Sequence, residues 1–382
     1  MGVYLDYNAS APIDSRVLET MIEIYKNVYG NADSRTHEYG EEARKVVEAA
    51  RQKVASLLRV DKSEVLFTSG ATESNNIVIQ GLKEYAEKSG KKHIITSAVE
   101  HKSVLETVKK LGEQGYDIDF VYPKENGRID AQELLELVRD DTLLVSVMHV
   151  NNETGMIQPV KEIGEALINQ GILFHIDATQ SCGKLVPQLQ DLNYNMMSFS
   201  AHKLSGPQGI GALVLRKKRY SFPPVKAIVC GGQQEHGIRP GTVPVALAAG
   251  FGRACELAEW EYESNTLKCK EIKKTVVSLI EESGLQYQIN GDQEFCISNT
   301  INISFKGIES ETLLLCSKKY CAISSGAACN SNHYNLSYVL SAMGLQDETA
   351  AEAVRISWGH DTDQDELIEQ LSALLKLIKG FL

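Results

Sequence analysis

The sequence has no surplus of positive charge. Its 39 lysines and arginines stand against 50 aspartates and glutamates, a formal net charge of −11. No basic surface is available to neutralise phosphates, which excludes nucleic acid as a main ligand. It also lacks the run of about 18 apolar residues that a membrane span needs. The most apolar long piece, Val243 to Ala258, is broken by Arg253 and Glu256. The N-terminus, MGVYLDYNASAP, carries an early aspartate and has no basic stretch followed by an apolar run, so it does not read as a signal peptide. A cytoplasmic protein is expected. Nor is there a Cys-x-x-Cys pair. The eight cysteines, Cys182, Cys230, Cys255, Cys269, Cys296, Cys316, Cys321 and Cys329, are scattered. The nearest approach to a metal pattern is Cys316, Cys321 and Cys329, without the tight paired ligands of structural zinc sites, so neither disulfides nor a metal are expected.

What is present is the texture of a long α/β chain. At 382 residues and 43% hydrophobic, it has material for two domains. From about Val65 to Leu215 short apolar runs alternate with helical patterns, as in repeated βαβ units around a mostly parallel sheet. The strands expected are EVLF, HIITS, DIDFVY, TLLVSVMHV, ILFHID, MMSFS and IGALVL. Upstream, Ala43, Val46, Val47, Ala50, Val54 and Leu57 share one helical stripe. After about Glu259 a charged amphipathic helix is followed by TINISF, CAISS and AVRISWG as strands, and by a last helix with Leu367, Leu371, Leu374 and Ile378 on one face. The expectation is a large doubly wound domain, 16–258, and a smaller α/β domain, 259–382 with 1–15.

In open parallel sheets ligands bind beyond the carboxyl ends of the strands, where helix N-termini and free amides gather. The strand ends here deliver a Gly-Ala-Thr turn at Gly70–Thr72, then Glu100 and His101, Asn151 and Asn152, Asp177 and Gln180, and Ser200, His202 and Lys203. Each alone would be a cap, a turn or a satisfied structural residue. Five strands sending such groups to one edge point to a site. In SGATES, Gly70, Ala71 and Thr72 open a helix whose free N–H groups suit a phosphate, without the glycine and lysine pattern of a Walker loop. Lys203 lies between a strand end and the glycine-rich SGPQGIGA. A lysine held beside a carboxylate and a phosphate cradle suggests a Schiff base. Pyridoxal phosphate needs such an amine, a carboxylate for its ring nitrogen, a phosphate cradle and a flat group over the ring. Lys203, Asp177, the Thr72, Ser200 and His202 group, and His101 fill those roles in turn.

The motifs TSGATESNN, EHKSV, HVNNETG, HIDATQSCGK, SFSAHKLSGPQGIGAL, GGQQEHGIRPGT and SSGAACNS, in that order, resemble the cysteine desulfurases of the NifS/IscS kind, class-V aminotransferases of the fold-type I pyridoxal-phosphate superfamily. The likeness runs from YLDYNASAP to VRISWG. It implies that Lys203 carries the cofactor, Asp177 pairs with the pyridine nitrogen, and His101 stacks on the ring and relays protons. Ala71, Thr72, Ser200 and His202 would hold the phosphate, with Gln180 near the ring hydroxyl. Thr242 would reach the phosphate of a second subunit, which implies a homodimer. Asn152 and Arg355 would hold the substrate carboxylate, and alternation in AVRISW sets Arg355 opposite Val354, Ile356 and Trp358.

The same resemblance gives Cys329 a role. It sits in SSGAACNSN among small, polar residues with little to pack against, where a thiol is either incidental or presented for reaction. The family's chemistry makes it the nucleophile that takes sulfur from L-cysteine as a persulfide, leaves alanine, and delivers the sulfur to an acceptor protein from a mobile tether. The continuation NSNHYNLSYVL matches the branch with a long catalytic loop. Ala327 and Asn330 replace the Ser and Thr usual in housekeeping relatives, His360 stands where an Arg is common, and the chain stops at KLIKGFL, soon after its last helix. These departures lead us to expect a dedicated supplier, for nucleic-acid sulfur modification or iron–sulfur assembly. Selenocysteine lyase, another carbon–sulfur lyase or aminotransferase, and a non-catalytic sulfur-relay scaffold are the alternatives. The last fits poorly with a site in which Lys203 and Asp177 are both kept.

Overall fold

The computed structural model describes residues 2–325 and 336–381. Each of the seven apolar runs between 64 and 215 forms a strand: β2 (Val65–Thr68), β3 (His93–Ser97), β4 (Asp117–Val121), β5 (Thr142–Met148), β6 (Leu173–Asp177), β7 (Met196–Ser200) and β8 (Gly211–Leu215). They make one sheet in the order β2-β8-β7-β6-β5-β3-β4. Within this sheet β8 runs opposite to the other six strands. Every residue of β5 and β7 is buried, as continuous apolar runs covered on both faces require. The fold is therefore α/β with a large, mostly parallel sheet.

A second core is built from β1 (Val3–Tyr4), β9 (Tyr287–Ile289), β10 (Thr300–Phe305), β11 (Cys321–Ala322), β12 (Ala353–Ser357) and helix Gln364–Lys379. β12, β10 and β9 form an antiparallel sheet, and β1 pairs with β11. Val3 and Leu5 pack there with Ile301, Ile303, Val354, Ile356 and Trp358. The apolar piece from Val243 and the charged helix after Glu259 are a single helix, Val245–Ser283, of 39 residues. Its first half is covered on all sides. A Cβ on Gly250 would come within 2.6 Å of Met21 and one on Gly252 within 2.7 Å of Ala50, so the neighbouring helices approach closer than any side chain allows. Cys255 belongs to the large core, and Cys269, Ile272 and Val276 to the small one. The change of composition near 259 marks a change of packing partner, not a break in the chain.

The sheet's open edge at β2 is closed by side chains. Arg51 donates to the Val65 carbonyl at 2.7 Å, and Glu235 accepts from the Phe67 N–H at 2.7 Å. The two meet in a buried bidentate pair, both contacts 2.7 Å. This pair also fastens the segment that carries Glu235 and His236, both with left-handed backbones (φ 46° and 60°). Glu235→Gln leaves the buried guanidinium with only the more exposed Glu48, 3.1 Å from its Nε, as a charged partner, and a loss of about 3 kcal/mol in denaturant unfolding is expected.

Candidate active site

At the carboxyl ends of β2, β3, β5, β6 and β7 lies a cavity of about 600 Å³. The sheet order brings these groups together, because parallel strands point their carboxyl ends to one edge. Ala71, Thr72 and His101 line it, with Asn152, Asp177 and Gln180. Ser200, His202, Lys203 and, from β12, Arg355 complete the set of expected residues found there. Thr242 is exposed and does not line the cavity. Cys329 lies outside the described residues.

Lys203 ends a short 3-10 turn, Ala201–Lys203, that follows β7 directly. Its Nζ donates to the carbonyls of Asn8 and Ala9, both at 2.6 Å. Burial lowers its pKa to about 8, and Arg355 pushes the same way against Asp6 and Asp177. The amine is thus within reach of its neutral form at ordinary pH.

Asp177, the last residue of β6, accepts from Asn75 Nδ2 at 2.8 Å and from the Thr179 N–H at 2.9 Å, and the Thr179 hydroxyl donates to the same oxygen as that N–H. A carboxylate receiving three donors is held in one orientation. Asn75 stands one turn inside helix Ala71–Gly81, below the mouth formed by Gly70, whose φ of 154° only glycine adopts readily. That helix has no side-chain cap, and the Ala71 N–H donates to Ser200 Oγ at 2.7 Å. Free amides and a hydroxyl therefore meet at one concave end. His202 beside them has its pKa lowered to about 4 by burial, with Lys203 adding to the effect, so it is neutral at pH 7.

Across the cavity Arg355 donates to Asp6 Oδ1 at 2.6 Å and to the Asn152 carbonyl at 2.9 Å. Its Nε and the Asn152 Oδ1 are buried without a partner among the described residues, as groups awaiting a ligand would be. Gln180 donates to the Asn8 carbonyl at 2.9 Å and accepts from Lys184 Nζ at 3.2 Å. Two buried carboxyls flank the site. Burial raises Glu100 to about 8, although Ser97 and Met148 donate to it. Burial raises Glu153 to about 7, against the hydrogen bond from Ser337.

The sequence reading named most of the wall but not the N-terminal strip. Asp6, Asn8 and Ala9 hold Arg355, Gln180 and Lys203 by contacts spanning up to 349 residues, which no local pattern reveals. Asn75 and Ser103 were also missed as members of the site. The signal for Asn75 was available, since it lies four residues after Ala71 and so on the same helical face.

Residues 3–371 match the family described as aminotransferase class-V. The chain is 42% identical over 380 residues to a protein named cysteine desulfurase IscS from Klebsiella pneumoniae, covering 99% of this chain and 93% of that one. Among solved structures, one titled NifS-like protein aligns with a TM-score of 0.91 and 37% identity over the whole of both chains. Another, titled SspA in complex with cysteine, aligns with a TM-score of 0.82 and 35% identity, covering 94% of this chain and all of that one.

Proposed function

The chain belongs to the aminotransferase class-V family, and from that premise we infer that it is a cysteine desulfurase using pyridoxal phosphate. The observation that carries the reading is convergence: an amine with a lowered pKa, a carboxylate held by three donors and a guanidinium with an unpartnered Nε all line one cavity.

The residues present fit the cofactor. The uncapped helix mouth with Ser200 suits its phosphate, Asp177 its ring nitrogen, and Lys203 its aldehyde. When bound, the cofactor draws electrons from the substrate's α-carbon and so weakens the bond to sulfur. The protein does the rest. Arg355 and Asn152 grip the substrate carboxylate as donors, Arg355 through its guanidinium N–H groups and Asn152 through its Nδ2. Lys203, freed of its two carbonyl partners, moves the proton. The Cys329 thiolate forms a bond to the substrate sulfur while the carbon–sulfur bond breaks; its electron pair goes to carbon, which takes a proton, and alanine leaves. The persulfide on Cys329 then passes to an acceptor protein.

We place the protein in the cytoplasm and read it as a homodimer with Thr242 completing the partner's phosphate site. Leu18, Ile22 and Tyr25 are 43%, 43% and 64% exposed on one face of helix Ser15–Asn27, an apolar stripe that a second copy would cover. Ile228 and Val229 are exposed beside Gly231, which lies against Pro240, two residues before Thr242. Among the described residues no helix is long and apolar enough to cross a membrane.

The test is chemical. Purified protein should be yellow, lose that colour to borohydride, and convert L-cysteine to equal amounts of alanine and transferable sulfur. Alanine without sulfur, or colourless protein unable to take up pyridoxal phosphate, would overturn the reading. A pH dependence follows from Lys203. Below about pH 8 the amine is protonated and has no lone pair to offer; above it the amine is free. Covalent loading of stripped protein with pyridoxal phosphate, followed by absorbance, is expected to speed up with pH and level off above about pH 9.

A further inference from the structure

Among the described residues, every hydrogen bond that the protein gives the His101 ring arrives at one nitrogen. His101 caps helix Lys102–Gly112, and the Ser103 N–H donates to its Nδ1 at 3.1 Å. A backbone N–H can only donate, so Nδ1 is held as an acceptor. The Ser103 hydroxyl lies 2.8 Å from the same nitrogen. Its direction is set from the other side. Asn75 Nδ2 spends one hydrogen on Asp177 Oδ2 at 2.8 Å and the other on Ser103 Oγ at 2.9 Å. Flipping that amide would set its oxygen against the Asp177 carboxylate. With Oγ accepting from Asn75, its own proton is left for Nδ1.

We propose that Ser103, backed by Asn75, is a positioning residue that fixes His101 as the Nε2–H tautomer, so that the ring offers the cavity a hydrogen-bond donor and not a base. A proton added to Nδ1 would meet both Ser103 donors head on. The low pKa of the ring agrees: burial lowers it most, Lys203 and Lys102 add to the effect, and Asp177 opposes them. The division of labour then follows. His101 polarises an acceptor on the bound molecule, and the Lys203 amine, already near neutrality, is the group that takes protons.

This rests on the cavity being the cofactor site, but its test does not need turnover. In holoenzyme carrying 15N-labelled histidine, the His101 signals are those lost in His101→Asn. At pH 7.5 Nδ1 should show the unprotonated and Nε2 the protonated shift. Ser103→Ala removes one of two donors, so the shifts should move towards each other and the ring's titration should rise by roughly one pH unit, while Ser103→Thr restores both. A proton on Nδ1 in the unaltered protein, or Ser103→Ala shifts identical to it, overturns the proposal. Failure of the desulfurase reading would appear separately, as holoenzyme that yields no alanine.

Discussion

Lys203→Ala is expected to bring alanine formation down by at least about 10³-fold and to remove the covalently held yellow chromophore. Lost proton transfer alone accounts for a factor on the order of 10²–10⁴, and the lost covalent attachment adds to it. Lys203→Arg should be equally inactive, and this is the sharper experiment. A guanidinium keeps the charge and much of the length, yet cannot become neutral, so it separates the need for a lone pair from the need for a cation. Neither change should unfold the protein. The lysine's contacts in the fold are two carbonyl acceptors, Asn8 and Ala9. Its pKa lies below that of an unfolded lysine, so burying its ammonium form costs stability below about pH 8 and nothing at high pH. Denaturant midpoints of Lys203→Ala close to those of the unaltered chain, measured alongside the lost turnover, would show the loss to be chemical. Turnover retained by either variant would sink the assignment.

The contrast between Lys203 and the residues that hold it shows what a sequence can reveal. Lys203 was legible because a strand pattern ends at Ser200 and a glycine-rich turn begins at Gly206, which ties its position to the sheet's edge. Asp177 and His101 were legible for the same reason. Arg355 was legible from the resemblance, and alternation supports it: Val354, Ile356 and Trp358 pack in the small core, and Arg355 faces the cavity. Asp6 and Asn8 were not legible, because the features that make them part of the site are partners at positions 355, 180 and 203, and chain distance hides those. The long helix misled in the opposite way. Its two halves differ in composition because one is wrapped by the large core while the other shows the small core a single face, and periodicity reports burial before it reports continuity. Ser103 lay in a quoted motif, but its role depends on the direction of a hydroxyl proton fixed by Asn75, a helix and a loop away.

Cys329→Ser should stop sulfur release, by at least about 10³-fold, while leaving cofactor colour and cysteine binding intact. The inventory of thiols supports the choice. None of the seven described cysteines lines the 600 Å³ cavity. Burial pushes Cys182 and Cys255 far up, Cys321 to about 12 and Cys269 to about 11, and raises Cys296 too, so these thiols are poor nucleophiles at neutral pH. Cys230 is exposed but belongs to the segment near Pro240, away from the cavity wall. Cys329 is tied to the site through the covalent chain. Four peptide units separate it from Ser325, a cavity residue, and that span covers at most about 14 Å. On either side the chain is tied to the site. Ser324 and Arg355 exchange backbone bonds of 3.2 and 2.6 Å, and Ser337 donates to Glu153 at 2.5 Å, next to Asn152. A serine at 329 is close in shape, but its hydroxyl is far harder to ionise than a thiol and cannot accept sulfur as a persulfide. Cysteine added to the variant should therefore perturb the visible spectrum without yielding alanine, whereas Cys230→Ser should turn over like the unaltered protein. If the two variants behaved alike, the sulfur would have to leave by a route that bypasses Cys329.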